Sequence, residues 1–159
     1  MIAGFYDTET FIPRNSLGYL LRRIGKMSTS RIEAAFDGSD ITFTQWIVLA
    51  LVSTETANTC TALARDMDHN SGAMTRVIDQ LEERKLVARK REESDRRVST
   101  LTVTSEGQKM VDSLLASVVG IWNEVLGGLD HAEIRQLIAT LTKLLDRLEA
   151  LEADTGASA

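Results

Sequence analysis

Residues 70–103 read NSGAMTRVIDQLEERKLVARKREESDRRVSTLTV, and this segment carries the strongest indications of the fold class. Its first half predicts an amphipathic helix that begins after Asn70, a good N-cap, and continues to about Arg84. The apolar positions of that helix share one face: Met74, Val77, Ile78 and Leu81. The second half predicts two strands, at 86–90 and 98–103, because both segments are rich in Val, Leu and Thr and flank a charged turn.

A second short helix is predicted directly before this one. Residues 60–67 have a helical period, and a linker of three residues separates them from the next helix. Two helices joined in this way form the helix-turn-helix pattern. Further upstream, Thr42 and Gln45 have the spacing of a capping box, which predicts another helix to about Val52.

Longer helices are predicted on both sides of this region. Pro13 suits the first turn of a helix to about Phe36, Thr104 caps a helix to about Leu126, and Asp130 caps a last helix. The last helix has apolar residues at spacings of three and four: Ile134, Leu137, Ile138, Leu141, Leu144, Leu145, Leu148 and Leu151. Such a stripe is typical of a seam packed against other helices.

Basic residues concentrate in the predicted hairpin. Between Arg84 and Arg97 there are seven basic and three acidic residues, a local charge of +4, whereas the whole chain carries −5. An acidic chain does not coat nucleic acid by bulk charge, so a basic hairpin after a helix-turn-helix indicates a local contact with a phosphate backbone or a narrow minor groove. Arg89 and Arg96 belong to this basic surface. Asp95 is either a turn acid or a partner that orients the Arg97 guanidinium.

The polar side of the helix after Asn70 suits a major groove. Gly72 and Ala73 are small enough to allow a close approach, and Thr75 and Arg76 are residue types that contact phosphate and guanine. Taken alone, this pattern is more typical of an ordinary surface helix. The basic hairpin that follows favours DNA binding.

We therefore predict a mainly α fold with a small two-stranded β-wing. A winged helix-turn-helix DNA-binding lobe is joined to a helical region formed by the N- and C-terminal helices, and resemblance to a known family implies that this region is the site of dimerisation. The predicted divisions are an N-terminal arm and dimerisation helix (1–36), the lobe (37–104) with its recognition helix (about 70–84) and wing (about 86–103), C-terminal dimerisation helices (105–151) and a flexible tail (152–159).

The chain resembles the MarR (multiple antibiotic resistance regulator) family of transcription regulators. The resemblance covers about residues 61–107 and rests on five segments: Ser71-Gly72-Ala73-Met74-Thr75-Arg76, Asp79-Gln80-Leu81-Glu82-Glu83, Leu86-Val87-Ala88-Arg89, Asp95-Arg96-Arg97, and Leu101-Thr102-Val103-Thr104 with Gly107. It implies a homodimer, intertwined through its first, fifth and sixth helices, on a pseudo-palindromic operator in double-stranded DNA. Half-sites of such an operator lie roughly 34 Å apart. The resemblance also implies a repressor that a small molecule releases.

By position, the resemblance places four residues against the major groove: Ser71, Ala73, Thr75 and Arg76. It places Arg97 in the minor groove with Asp95 bracing it. The chain departs from the family pattern at Lys85, where Gly is common. Either the recognition helix ends differently here, or Lys accepts a left-handed conformation at about 1 kcal/mol.

The effector that the resemblance implies is small and often aromatic or anionic. Tyr19, Arg22 and Trp46 lie on helices expected to line its site, although an aromatic residue at helical spacing is more often plain core. Cys60, the single cysteine, offers an alternative as an oxidant sensor, although a small buried residue is the commoner role.

Other functional classes have less support in the sequence. No set of metal ligands, catalytic constellation or cofactor-binding motif has the required spacing, so neither an enzyme nor a cofactor is expected. No apolar run approaches the roughly 18 residues of a membrane helix, and the first residues lack the features of a signal peptide, which favours the cytoplasm. A helical dimer or adaptor that does not bind DNA would explain the leucine stripe but not the basic wing.

Overall fold

The computed structural model describes residues 4–91 and 99–156. Helices make up most of these residues, and two strands pair into an antiparallel hairpin. The helices are α1 (Leu17–Ala35), α2 (Phe43–Ser53), α3 (Cys60–Asp66), α4 (Ser71–Glu83), α5 (Ser105–Leu126) and α6 (His131–Gly156). The strands are β1 (Val87–Arg91) and β2 (Ser99–Val103). This arrangement confirms the predicted mainly α fold with a two-stranded wing.

The first helix begins later than predicted. Pro13–Asn15 form a 3-10 turn, and Ser16 then has an extended backbone, with φ −80° and ψ 149°, as the N-cap of α1. The Ser16 hydroxyl accepts a hydrogen bond from the Tyr19 N–H at 3.3 Å. The prediction that Pro13 occupies the first turn of this helix is therefore wrong, because Ser16 supplies a side-chain acceptor for a free N–H, whereas Ile12, the residue before Pro13, makes no side-chain cap hydrogen bond.

The capping box predicted for α2 is confirmed. The Gln45 N–H donates to Thr42 Oγ1 at 3.2 Å, and the Thr42 N–H donates to Gln45 Oε1 at 3.0 Å. From this fixed start, α2 contributes Trp46, Val48 and Leu49 to the hydrophobic core. The core lies where α2 packs against α4 and β2.

The helices α3 and α4 form the predicted helix-turn-helix. Asn70 Oδ1 accepts a hydrogen bond from the Ala73 N–H at 2.8 Å, which defines the start of α4. Met74, Ile78 and Leu81 are at most 1% exposed. The face of α4 that the helical period marks as apolar is therefore its core face.

The wing is rooted in the same core. Its register pairs Val87 with Val103 at the root and Arg91 with Ser99 at the outer end. Val87 is 2% exposed, so the first residue of β1 is packed inside the lobe. The position of the hairpin is thus tied to the packing of the helices beneath it.

The recognition helix α4 ends in a left-handed residue. Lys85 has a φ of 60°. Its N–H donates to the Glu82 carbonyl at 2.8 Å, and the Leu86 N–H donates to the Leu81 carbonyl at 2.9 Å. These two bonds make a Schellman motif, whose left-handed position favours Gly. Of the two alternatives open from the sequence, Lys85 accepts the left-handed conformation at about 1 kcal/mol.

The chain divides into two compact units, Met1–Ile121 and Trp122–Ala159. The first unit holds the hydrophobic core. In this unit α5 passes very close to the wing root at Gly107, where a Cβ would lie 2.0 Å from the Leu86 carbonyl oxygen. Only glycine permits this approach.

The second unit contains α6, which begins at a capping box. Asp130 Oδ1 accepts from the Glu133 N–H at 2.9 Å, and the Asp130 N–H donates to Glu133 Oε2 at 2.8 Å. The helix continues to Gly156, so residues 152–156 of the predicted tail are helical. Glu152 and Ala153 are strong helix formers and favour the first part of this extension, whereas Asp154, Thr155 and Gly156 are poor ones.

Candidate nucleic-acid interface

The accessible side of α4 carries the residues predicted to enter a major groove. Ser71, Thr75 and Arg76 are exposed, and Ala73 is half-buried. All four lie in the first half of the helix, where a recognition helix meets base edges. The structure brings them together on one stretch of surface, and their contact with DNA stays a prediction.

The Thr75 hydroxyl is committed to its own helix. It donates to the Ser71 carbonyl at 2.8 Å, and Cys60 Sγ lies 3.4 Å from Thr75 Oγ1. A hydroxyl has one proton to donate and two lone pairs that accept. In this rotamer Thr75 is suited to accept a hydrogen bond from a base and not to donate one to a phosphate.

Arg76 is the most available cation on this side of α4. Its side chain is exposed, and it forms no ion pair with any residue in the ranges 4–91 and 99–156. The planar guanidinium fork matches the O6 and N7 acceptors of guanine. Arg76 can therefore reach a base edge without first breaking an internal contact.

Arg89, by contrast, is already engaged. Its side chain is 33% exposed, and its Nη2 pairs with the Asp79 carboxylate. Its Nε lies 3.1 Å from Glu82 Oε2. Both carboxylates belong to α4, so the sequence alone missed this internal role, and contact between Arg89 and DNA stays a prediction.

The wing tip lies outside the described residues. Asp95, Arg96 and Arg97 fall in the interval 92–98 between the two strands. The proposed minor-groove contact of Arg97, and its orientation by Asp95, therefore stay predictions.

The three residues predicted for an effector site fall in two places. Arg22 Cζ lies 6.0 Å from the centroid of the Tyr19 ring on α1, which is cation–π geometry. Trp46 belongs instead to an aromatic cluster with Phe36 and Phe43. Its indole N–H donates to the Val111 carbonyl at 3.2 Å, and the residue is 8% exposed. The interpretation of Trp46 as core residue thus fits its surroundings, and the effector role of all three stays a prediction.

Two contacts that hold α4 against the region around α2 were not predictable from the sequence. Gln45 Nε2 donates to Gln80 Oε1 at 3.0 Å, and the Arg84 guanidinium donates to the Asp40 carbonyl. Gln45 thus caps its own helix with one end of its amide and holds α4 with the other. The capping spacing revealed the first role, but no linear pattern pairs residues separated by 35 positions.

Residues 4–91 and 99–156 contain neither a cluster of metal ligands nor a single helix suited to span a membrane. In these ranges no three His, Cys, Asp or Glu side chains lie together so as to hold a metal ion. Nor is any single helix of the described chain both long and apolar enough to cross a membrane.

The helix-turn-helix, the open face of α4 and the adjoining hairpin define a winged helix-turn-helix DNA-binding regulator of transcription. The family model described as MarR family matches residues 41–99, which span α2 to the first residue of β2. Over these residues, which form most of the winged lobe, the chain is similar to the MarR family.

Solved structures of this family share the fold. CouR from Rhodococcus jostii RHA1, bound to p-coumaroyl-CoA, is 27% identical with a TM-score of 0.72, covering 84% of this chain and 94% of CouR. A Mycobacterium tuberculosis MarR-family protein in complex with p-aminosalicylic acid is 28% identical with a TM-score of 0.67, covering 81% and 98%. The S. aureus MepR–DNA complex, at 22% identity and a TM-score of 0.69, covers 83% and 98% and supports the fold alone.

Proposed function

We propose that the protein is a homodimeric repressor that binds a pseudo-palindromic operator in double-stranded DNA and releases it when a small effector binds. The observation that carries this proposal is the accessible first half of α4, with Arg76 exposed and unpaired among the described residues beside a basic hairpin. MepR, which has the same fold, is known in complex with DNA. Binding of this kind makes no use of catalytic chemistry, so we propose a regulator and not an enzyme.

Exposed apolar stripes on two helices support the homodimer. On α1 the exposed apolar residues are Leu17, Leu20, Leu21, Ile24 and Met27. On α6 they are Leu137, Ile138, Leu144, Leu145, Leu148 and Leu151. Apolar patches of this extent mark interaction surfaces. We assign the N-terminal helix and residues 105–151 to dimerisation, and residues 37–104 to DNA binding.

We propose an aromatic carboxylate or a related anion as the effector. CouR and the M. tuberculosis protein are bound to p-coumaroyl-CoA and p-aminosalicylic acid, respectively, and both ligands carry an aromatic ring and anionic groups. Arg22 and Tyr19 offer a cation beside a ring on α1, a combination that suits such a ligand. The protein would meet both its operator and a small metabolite in the cytoplasm.

DNA binding is tested by fluorescence anisotropy on duplexes recovered by genomic fragment capture. We expect the affinity to fall steeply with salt, because each phosphate contact contributes a slope of about −0.9 to the plot of log K against log salt. Arg97→Ala is expected to weaken operator binding while the dimer and its helical content stay intact. A monomer that binds no duplex at low ionic strength would contradict the proposal.

Effector release is tested separately by adding p-aminosalicylate to the protein–DNA complex. We expect the anisotropy to fall as DNA is released, and Arg22→Gln to raise the concentration needed. 3-Aminophenol, which keeps the ring with its amino and hydroxyl groups and lacks the carboxylate, is the matched control. Equal release by both compounds would show that the effector does not need an anionic group to release DNA.

A further inference from the structure

Arg89 bridges the wing and the recognition helix through two ion pairs. It lies on β1, opposite Leu101 of β2. Its Nη2 contacts the Asp79 carboxylate, and its Nε lies 3.1 Å from Glu82 Oε2. Asp79 and Glu82 are three positions apart on α4, so they share one side of the helix. One guanidinium on the wing strand thus engages two carboxylates of the helix predicted to read DNA.

Arg89 also lines a small cavity beside the wing strands. A cavity of about 80 Å³ between the strands and the helices is lined by Cys60, Thr75, Ile78, Arg89, Ser99 and Leu101. Ile78 and Leu101 are at most 3% exposed, so the methylene groups of Arg89 lie along the edge of the apolar core. A long cationic side chain commonly covers apolar surface with its stem while its charged head remains near solvent. The head is thereby held over α4.

We propose that Arg89 is a positioning residue for DNA binding: it fixes the wing against α4 and neutralises Asp79 and Glu82, and it does not itself bind phosphate. This inference rests on the proposed DNA binding and deepens it. Two carboxylates left without a cation on a helix next to phosphates would repel the duplex. A wing released from α4 would also lose orientation, and its tip cations would have to be ordered on binding.

Asp79→Ala separates this proposal from a direct contact. If Arg89 binds phosphate, removing Asp79 deletes a negative charge and frees the guanidinium, so the affinity for the operator rises or stays the same. If Arg89 positions the wing, Asp79→Ala weakens binding several-fold although the protein has become less acidic. Alanine is a stronger helix former than Asp, so no loss of helix accompanies the change.

Glu83→Ala is the matched control on the same helix. Glu83 is exposed and forms no ion pair within 4–91 and 99–156. Its replacement removes the same charge as Asp79→Ala, with a smaller gain in helix propensity. We expect unchanged or slightly tighter binding. If Glu83→Ala weakens binding as much as Asp79→Ala, loss of the Arg89 bridge is not the cause and the proposal fails.

A double-mutant cycle with Arg89→Ala completes the test. The proposal predicts that the double variant binds little worse than Arg89→Ala, because Arg89→Ala already breaks the ion pairs to Asp79 and Glu82. Losses that add, together with a salt slope shallower by about 0.9 in Arg89→Ala alone, would identify Arg89 as a phosphate contact and overturn the proposal.

The same cycle on the free protein keeps this inference distinct from the proposed function. Hydrogen exchange of the β1 amides should quicken in Arg89→Ala, should quicken less in Asp79→Ala, which keeps the pair with Glu82, and should quicken no further in the double variant than in Arg89→Ala. If the wild-type protein binds no duplex, the proposed function fails while this measurement still decides whether the bridge holds the wing. Unchanged exchange in both single variants would overturn the positioning role.

Discussion

The winged lobe and the outer helices α1 and α6 differ in where their apolar side chains lie. In the lobe, Leu49, Leu63 and Met74 have no exposed surface. On the outer helices, Met27 and Leu148 are each 60% exposed. The lobe therefore completes its core within one chain, whereas the stripes of α1 and α6 are left to water in an isolated protomer. Exposed apolar surface of this extent is unfavourable. The difference therefore indicates that one chain is enough to form the core of the lobe, whereas the stripes of α1 and α6 need a second copy to cover them.

The largest expected effect breaks the assembly without touching the lobe. Leu145→Glu combined with Leu148→Glu should dissociate the dimer, because burying one leucine contributes about 1.5–3 kcal/mol and each change occurs in both copies. We expect a loss of at least about 6 kcal/mol, roughly four orders of magnitude in the dimer dissociation constant. Sedimentation velocity across a concentration series measures it.

A charge placed off the stripe is the control for this prediction. Gln136→Glu adds one negative charge at an exposed position on the opposite side of α6. It should leave the dimer intact. A double leucine variant that remains dimeric at nanomolar concentration would show that the exposed stripe of α6 is not the interface.

The next largest effect concerns the close approach of α5 to the wing root in the lobe. Gly107→Ala should destabilise the fold by about 2–3 kcal/mol, because the new methyl group would overlap the Leu86 carbonyl and force α5 away from the wing root. Thermal unfolding reports the loss. Gly120→Ala on the same helix is the matched control, since a Cβ there meets no atom within 4 Å and Ala favours helix. Equal stability of the two variants would contradict the close approach at Gly107.

A smaller effect concerns recognition and leaves stability alone. Arg76→Ala should weaken binding to the operator by about 1–3 kcal/mol, the range for loss of a bidentate contact to guanine. Binding to a scrambled duplex should change much less. Anisotropy titrations on both duplexes at one salt concentration give the comparison. An equal loss on both would make Arg76 a phosphate contact.

The smallest expected effect concerns the left-handed residue at the end of α4. Lys85→Gly should stabilise the protein by about 1 kcal/mol, because Gly adopts the φ of 60° at Lys85 without strain. Urea unfolding of the variant beside Lys85→Ala measures this gain. Lys85→Ala removes the same charge and keeps the Cβ, so it should show no such stabilisation. Equal midpoints for the two variants would assign any change to charge and not to the backbone.

Local patterns in the sequence predicted much of this architecture. The capping residues Thr42 and Asn70 marked helix starts that the structure confirms, since caps act within three residues. The helical period marked the buried face of α4, and alternative endings at Lys85 were recognised in advance. The start of α1 was misplaced because Pro13 and Ser16 are both acceptable near a helix start, and a single sequence does not rank them.

The candidate site was predictable only in part. Exposure of Ser71, Thr75 and Arg76 follows from the helical period, because these positions avoid the apolar face of α4. The engagement of Arg89 does not follow from it. In the sequence Arg89 is one cation among several in a basic hairpin, and only the packing of β1 on α4 decides which of these cations meets two carboxylates.

Residues close together in the chain specified most of the helices and strands and the apolar face of each, because caps and periods act within one or two turns; the start of α1 and the helical residues 152–156 were the exceptions. The tertiary structure alone decided how Arg89 and Gln45 are used and which apolar stripes stay exposed. Those outcomes depend on side chains that lie far apart in the chain and meet only when helices and strands pack, which no local spacing encodes.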